Sequence, residues 1–558
     1  MRNQKSKNKT WLMPVLFGVC MSLSIVWGYQ LETTDHIDVS NLKMLVLSAV
    51  LAVIIAAAVK WSWKKLGKRS DKRKQRTNVI SVKGNRGQTV LEKGYTRNEF
   101  IKVWMFIAAL NFVVLLGVYP GFFVYDAQTE VIEVLTRSFN NHHPLLHVLL
   151  LGGSVAFFHK FTGSYNAGIF FYIFMQMMAM TWIFTYLINY LKKHGAGRKF
   201  RAVTAVFFGV FPTIVMYTLC SCKDGLFSAF LILTVILMLE WEEIDGRGLK
   251  RRKAWQIIIS SVLMMLFRHN GFYAYIVFAL VVIVSAVVLN EKDRYHRATF
   301  LIAPAIIYFC INLIIGNVLS AESGEHQEML TVPIQQIARV YYYDKDSFTS
   351  EEIEVLHNYL SEEALSHYTP RISDILKMYF DNAAYEKDKK SFWKLWAKKG
   401  LENPMSYINA WFLTSYGYWY PGAVINVYQG NTVFTFTYTD SSYFGYEVEL
   451  PGERKSLIPA IDRFYRKLSI EKFQQNIPVL SLLFSPAAYF WLFIYLMMTS
   501  GVLRKDLGMY PFILILLVWL TVLLGPTYLV RYTIYLWYSI PVLVYTVLLH
   551  EPHAVEDL

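Results

Sequence analysis

Apolar runs long enough to cross a bilayer recur along almost the whole chain, and this constrains the fold more than any other feature. They lie near 12–29, 43–62, 99–119, 166–190, 202–218, 224–240, 254–267, 272–289, 299–317, 481–500, 509–525 and 532–549. A helical crossing needs about 20 apolar residues. Without water in the bilayer core the backbone must satisfy its own hydrogen bonds, and a helix does so within one segment. The expected fold is therefore an all-α polytopic membrane protein with about twelve transmembrane helices. Those crossings use about 240 of the 558 residues and leave room for loops and one sizeable extramembrane part. Only 17% of the chain is charged and 54% is hydrophobic, against about 25% charged in soluble domains. A soluble, disordered or fibrous chain is excluded. The net charge of +14 does not point to nucleic acid, because the basic residues sit in short loops between apolar runs, where they orient a membrane protein. The first run has a basic start, but no small-residue cleavage site follows Trp27-Gly28-Tyr29-Gln30, so it reads as a span and not a cleaved signal.

Basic clusters set the direction of the spans. They are the chain start (Arg2, Lys5, Lys7, Lys9), the 64–76 loop, Lys192 to Arg201, Arg247 to Lys253, Lys292 to Arg297 and Arg504-Lys505. Placing all of them in the cytoplasm gives a cell-membrane protein with both termini inside. It also requires that the apolar piece 144–160, broken by Gly152-Gly153 and carrying His147 and His159, lies on the outer face without crossing. If it crossed, Lys192 to Arg201 would face outside. The 64–76 loop reads as flexible and suited to anionic lipid.

Four parts follow: 1–98 with two spans and the basic loop, 99–318 with a transmembrane module and the outer loop 120–165, the outer insert 319–480, and C-terminal spans in 481–558. The insert is polar and rich in Tyr, Trp, Asp and Glu. Ser350-Glu351-Glu352 starts a helix with Ile353, Leu356 and Leu360 on one face. Residues 430–450 alternate Thr, Val, Phe and Tyr and predict a hairpin, which makes the insert a small α+β unit. Cys20, Cys220, Cys222 and Cys310 give no disulfide framework, and Cys220-x-Cys222 lacks the second ligand pair of a zinc site.

The densest polar cluster follows the third span: Tyr119-Pro120-Gly121, Tyr125-Asp126, Glu130, Glu133 and Asn140-Asn141-His142-His143-Pro144. Asp126 stands just past a membrane exit, and His143 and His147 share a face if helical. Lys223-Asp224 opens a span, where an acid is costly unless it is paired or bound to something. Arg268-His269-Asn270 interrupts an apolar stretch, and Arg531 opens the last span. Each alone reads as an interfacial anchor; together they put two acids and several cations on one side at headgroup level. That suits a lipid phosphate: Lys223, Arg268 and Arg531 to hold it, a carboxylate as general base on an acceptor hydroxyl, or two carboxylates on a divalent cation. His142 or His143 could bind metal, position the acceptor, or cap the helix before Pro144; positioning is favoured. Tyr416-Gly417-Tyr418-Trp419-Tyr420 suits stacking on sugar rings, although core packing is the commoner use of such a run.

The order of these features resembles the GT-C superfamily of membrane glycosyltransferases, which use polyprenyl-phosphate sugars. The oligosaccharyltransferases, protein O-mannosyltransferases and bacterial aminoarabinose transferases belong to it. The resemblance rests on Tyr125-Asp126 after a membrane exit, a juxtamembrane helix from Pro144 to Phe161, a second outer acid at Lys223-Asp224, and a late outer domain followed by more spans. It covers residues 99–290 well and the remainder in layout. The string Tyr119-Pro-Gly to His147, with Lys223-Asp224 and Arg268 to Gly271, also looks like a bacterial group placed near that superfamily. The resemblance implies an inverting transferase with a polyprenyl-phosphate sugar as donor and an envelope glycan, lipid or protein as acceptor. Asp126 would be the catalytic base, with His143 beside it, and Asp224 a metal or acceptor contact. Lys223, Arg268 and Arg531 would bind the donor phosphate. Tyr125, His142, His147 and Asn270 would position the acceptor. A divalent metal (Mg or Mn) would sit on Asp126 and Asp224. The first loop departs from the family pattern in having Tyr-Asp where the mannosyltransferases have Asp-Glu, and two spans precede the common module. The alternatives are a lipid-linked-sugar flippase or other transporter, whose charges belong near the bilayer midplane, and an envelope-assembly scaffold, which would tolerate changes at either acid.

Overall fold

The computed structural model describes residues 2–81, 94–242, 247–290, 294–425, 446–503 and 509–549. The chain is an all-α polytopic membrane protein. Among the described residues, ten helices are long and apolar enough to cross a membrane, or eleven if a pair bent by 58° counts as one. The first part comprises α1 (Arg2–Thr34), α2 (Leu42–Ser81), α3 (Arg97–Gly117), α4 (Ala127–Thr136), α5 (Leu145–Thr162), α6 (Tyr165–Lys193), α7 (Arg198–Val210), α8 (Pro212–Thr218), α9 (Lys223–Glu242), α10 (Arg247–Phe267), α11 (His269–Val288) and α12 (Arg294–Leu319). The bent pair is α7 and α8. Pro212 opens α8 and supplies no N–H to continue α7, so the chain turns there. Three apolar helices close the chain: Pro486–Leu503, Ile513–Val522 and Tyr535–Val544.

The bundle has two chemically distinct ends. At one, Lys192 meets Glu99 at 3.1 Å. Buried Glu240 is held there by Lys193 and Lys253, each at 2.7 Å, so the ends of α6, α9 and α10 are clamped together. Basic residues dominate this end. At the other, the start of α6 lies beside the exit of α3, with the Phe170 and Tyr119 rings 5.5 Å apart.

Helix α5 begins and ends at this second end. Leu145 follows His143, which meets Lys223, and Thr162 leads straight into the start of α6. The Phe158–Phe171 ring pair (4.8 Å) and the His159–Tyr165 pair (3.7 Å) hold it against the first turns of α6. So α5, apolar and long enough to span, packs its last turns on the first turns of α6. The expected break at Gly152-Gly153 is absent, because α5 is a continuous helix. Gly152 serves packing instead: a Cβ there would come within 2.6 Å of Val134 and 2.7 Å of the Glu130 carbonyl on α4. Gly168 does the same on α6, where a Cβ would lie 2.5 Å from Val155 Cα. Small residues let helix backbones approach closely where lipid offers no other drive to associate.

A second core, separate from that of the membrane helices, is built between Leu330 and Tyr407, with Ile334, Leu356, Leu376 and Phe392 buried in it. The helix expected at Ser350 starts there, with Thr349 and Glu352 forming a reciprocal cap. The hairpin expected at 430–450 falls largely on 426–445, outside the described residues, and no strand is present among the described ones. The chain then returns to the loop after α3: Glu449 N–H donates to the Phe123 carbonyl (2.7 Å) and Lys455 N–H to that of Tyr119 (2.9 Å). The basic 64–76 segment, expected to be a flexible loop, continues α2 as helix to Ser81; Lys and Arg are good helix formers, and nothing there terminates the helix.

Candidate functional site

The site is assembled by two loops that grip each other. Phe122 N–H donates to the Leu219 carbonyl (3.0 Å), Ser221 N–H to the Phe122 carbonyl (2.9 Å), and Val124 N–H to Ser221 Oγ (3.3 Å). This pairing sets the residue after α3 beside the first turn of α9, although about a hundred residues separate them in sequence. Asp126 occupies the N-cap position of α4 but makes no side-chain cap bond, although Asp there ordinarily accepts from the helix N–H groups. Its Oδ2 instead accepts from Lys223 Nζ at 2.8 Å and Arg531 Nη1 at 3.3 Å. Tyr125, immediately before it, has φ 67°, a left-handed backbone that a bulky residue adopts only when its surroundings impose it. Its ring lies under the Arg531 guanidinium, 4.4 Å from centroid to Cζ.

Asp224 lies on the other side of Arg531. Arg531 Nη1 is 3.8 Å from Asp224 Oδ2, and Arg268 pairs with Asp224 Oδ1. The two expected acids thus share one guanidinium nitrogen. They differ in access: 32% of the Asp126 side chain is exposed, against 1% for Asp224. Asp126 is part-exposed, while Asp224 is sealed behind the two arginines it anchors. Arg268 also lies over Tyr532 at 4.4 Å.

Lys223 is fixed from a third direction. Its Nζ donates to His143 Nδ1 at 3.0 Å and lies 3.8 Å from Glu130. Burial, and then the Lys223 charge, hold His143 well below the usual imidazole range, so it is neutral and accepts. Burial would raise the Asp126 pKa, but Lys223 and Arg531 outweigh it and hold the carboxyl well below its usual range. Glu133, buried nearby with Glu130 adding repulsion, is pushed up to about 7.

Other expected residues are placed differently. His147 is fully buried; it pairs with Glu130 and accepts or donates at Nε2 with Tyr172 OH (2.8 Å). It therefore braces Glu130, which lies 3.8 Å from Lys223. His142 is part-exposed, 3.8 Å from Glu328, just before the second core. Asn270 donates to Thr521 Oγ1 at 2.9 Å and ties α11 to the Ile513–Val522 helix. Tyr416 and Tyr418 are fully buried. Tyr418 OH donates to the Thr527 carbonyl (3.0 Å) and accepts from Leu529 N–H (2.9 Å). Core packing, not sugar stacking, is their role, and they brace the turn that carries Arg531. Among the described residues, no three His, Cys, Asp or Glu side chains are grouped to hold a metal ion.

The residues missed in the sequence are Tyr172 and Gln176. Gln176 accepts from Tyr172 OH (3.1 Å) and donates to the Cys220 carbonyl (2.6 Å). They carry α6 into the site, and their spacing of four on an apolar helix was the available signal.

A family model described as a family of unknown function (DUF6020) matches residues 133–557. The chain belongs to that family. The match includes Lys223, Asp224, Arg268 and Arg531 and begins after Asp126. Comparisons with curated proteins and with solved structures find no match.

Proposed function

We propose that the protein is an inverting GT-C-type glycosyltransferase that takes a sugar from a polyprenyl-phosphate donor on the outer face of the cell membrane. In this reading the basic end of the bundle is cytoplasmic, both termini are inside, and twelve helices cross. The observation that carries it is the sharing of Arg531 by an accessible acid and a sealed one, with Lys223 and Arg268 on either side. Three cations converge at the ends of transmembrane elements, at the depth of a lipid phosphate.

Asp126 is the general base. Paired as it is, it is ionised but weakly basic. A donor phosphate that drew Lys223 and Arg531 to itself would raise the basicity of Asp126 at the moment of use. The acceptor oxygen then attacks the anomeric carbon, its proton passes to Asp126, and the bond from sugar to phosphate oxygen breaks, releasing the lipid phosphate. Lys223, Arg268 and Arg531 stabilise the charge that develops on the leaving group. Asp224 positions the two arginines, and His143 positions Lys223. A divalent ion, Mg or Mn, seated between Asp126 and Asp224 would have to take the place of Arg531. A flippase finds less support, because the charges stand at helix ends and not near the midplane.

The test is transfer from a polyprenyl-phosphate sugar by purified protein. Asp126→Asn is expected to lose about 100-fold or more of the rate, the usual share of a general base, with an unchanged elution profile. Undiminished transfer would remove Asp126 from the mechanism.

A further inference from the structure

A cavity of ≈ 540 Å³ lies at the basic end of the bundle, at the opposite end of α3 from Asp126. It is open to the side, between the first turns of α3 and α7. Its mouth carries Lys102, Arg198 and Arg201, and its floor is apolar, with Val103, Phe106 and Val206. Glu99 also lines it but is already engaged by Lys192 at 3.1 Å and by the Thr96 cap. Tyr95 orients Arg201: Arg201 Nη1 donates to its hydroxyl at 3.0 Å, and its ring lies 5.4 Å from the guanidinium. Arg201 Nε is buried beneath the cavity with no hydrogen-bond acceptor among the described residues.

The surface leading away from the mouth is apolar and exposed. Phe106 and Val113 continue along α3 on the face of Lys102, and Val206 and Val210 are exposed further along α7. On α3 the spacings of four and eleven keep Lys102, Phe106 and Val113 on one side of the helix, and on α7 Val206 and Val210, four apart, lie next to each other. From Lys102 to Val113 the helix rises about 16 Å, close to half of the ~30 Å hydrocarbon core. A cationic mouth at headgroup depth above an apolar track one leaflet long matches an amphiphile with an anionic head.

We infer that this cavity binds an anionic phospholipid of the leaflet at the basic end, its phosphate held by Lys102, Arg198 and Arg201 and its chains lying along α3 and α7. The phosphate oxygens accept from the two exposed cations with the Arg201 charge beside them, and the acyl chains cover Phe106 and Val206. The site is independent of the chemistry at Asp126.

The experiment is native mass spectrometry of the full-length purified protein with added phosphatidylglycerol or phosphatidylcholine of the same chains. The wild type is expected to retain phosphatidylglycerol preferentially. Lys102→Gln combined with Arg198→Gln is expected to weaken that retention by about fivefold for each charge removed, the scale of one interfacial cation on an anionic lipid. Both side chains are exposed, so the fold is expected to survive. The charge-keeping pair Lys102→Arg and Arg198→Lys is expected to retain the preference and so separates charge from misfolding. Equal retention of the two lipids by the wild type overturns the inference, as does undiminished preference in the glutamine pair. Displacement of the lipid by millimolar inorganic phosphate would identify a free-anion site and overturn the lipid assignment.

Discussion

Asp126 and Asp224 are the same residue type in two opposite environments, and the difference fixes what each substitution does. Asp224 is buried between Arg268 and Arg531. Its loss would leave two largely buried guanidinium groups short of their counter-ion, which costs about 3 kcal/mol or more. Asp224→Asn is therefore expected to lower the thermal midpoint of the purified protein more than Asp126→Asn, whose carboxylate is part-exposed and whose partners keep Glu130 and Asp224 nearby. Because Lys223 and Arg531 depress the Asp126 pKa, its pairing contributes stability above the unfolded-state value, and this is lost as pH falls through the folded value. Glu133 has the opposite sign. Its pKa rises from 4.5 to about 7 in the folded chain, so between those values the native state binds the extra proton and stability falls as pH rises. Glu133→Gln is expected to flatten the decline in thermal midpoint between pH 5 and 7; an equally steep decline would exclude Glu133 as its source. Asp126, Lys223 and Asp224 were legible in the sequence because charges at the ends of apolar runs are costly without partners. Their pairing was not, since Lys223 could equally have snorkelled to water.

At the scale of elements, α4, α5 and α6 form one packed unit that holds Glu130 and His147 under Lys223. The unit depends on two close approaches, at Gly152 and Gly168, and Gly153 provides the internal comparison because a Cβ there meets nothing within 4 Å. Gly152→Ala is expected to cost about 1–3 kcal/mol through overpacking against α4. Gly153→Ala is expected to be neutral or to stabilise by up to about 1 kcal/mol, since Ala is the better helix former. Thermal unfolding of the two variants in one detergent checks the contrast; equal effects would show that α4 does not rest on Gly152. In the sequence the two glycines look alike and suggested a break. Only the arrival of α4 against one face of α5 distinguishes them. The basic residues that follow α6 led to the expectation that α5 lies on the outer face without crossing. Composition alone would have it span, because length and apolarity do not record where the two ends of a helix lie.

For the whole molecule, the separation of a basic end from an end bearing Asp126 and the outer unit carries a topological prediction. In a background with Cys20 and Cys310 replaced by Ser, a cysteine at exposed Glu363 is expected to react with a membrane-impermeant maleimide in intact cells. One at exposed Lys199 is expected to react only after lysis. The reverse pattern would put Asp126 in the cytoplasm and end the reading of an outer-face transferase. The sequence by itself determined that this chain is helical and crosses a membrane many times, because a bilayer accepts little else from runs this apolar. It also determined that costly charges gather near span ends. Only the tertiary structure decided which of those charges meet. The loop pairing of Phe122 with Leu219 and Ser221, and the turn braced by Tyr418, bring Asp126, Lys223 and Arg531 together from positions up to four hundred residues apart. Hydropathy and local propensity are summed over neighbours in the chain, and they hold no information about contacts made across such a distance.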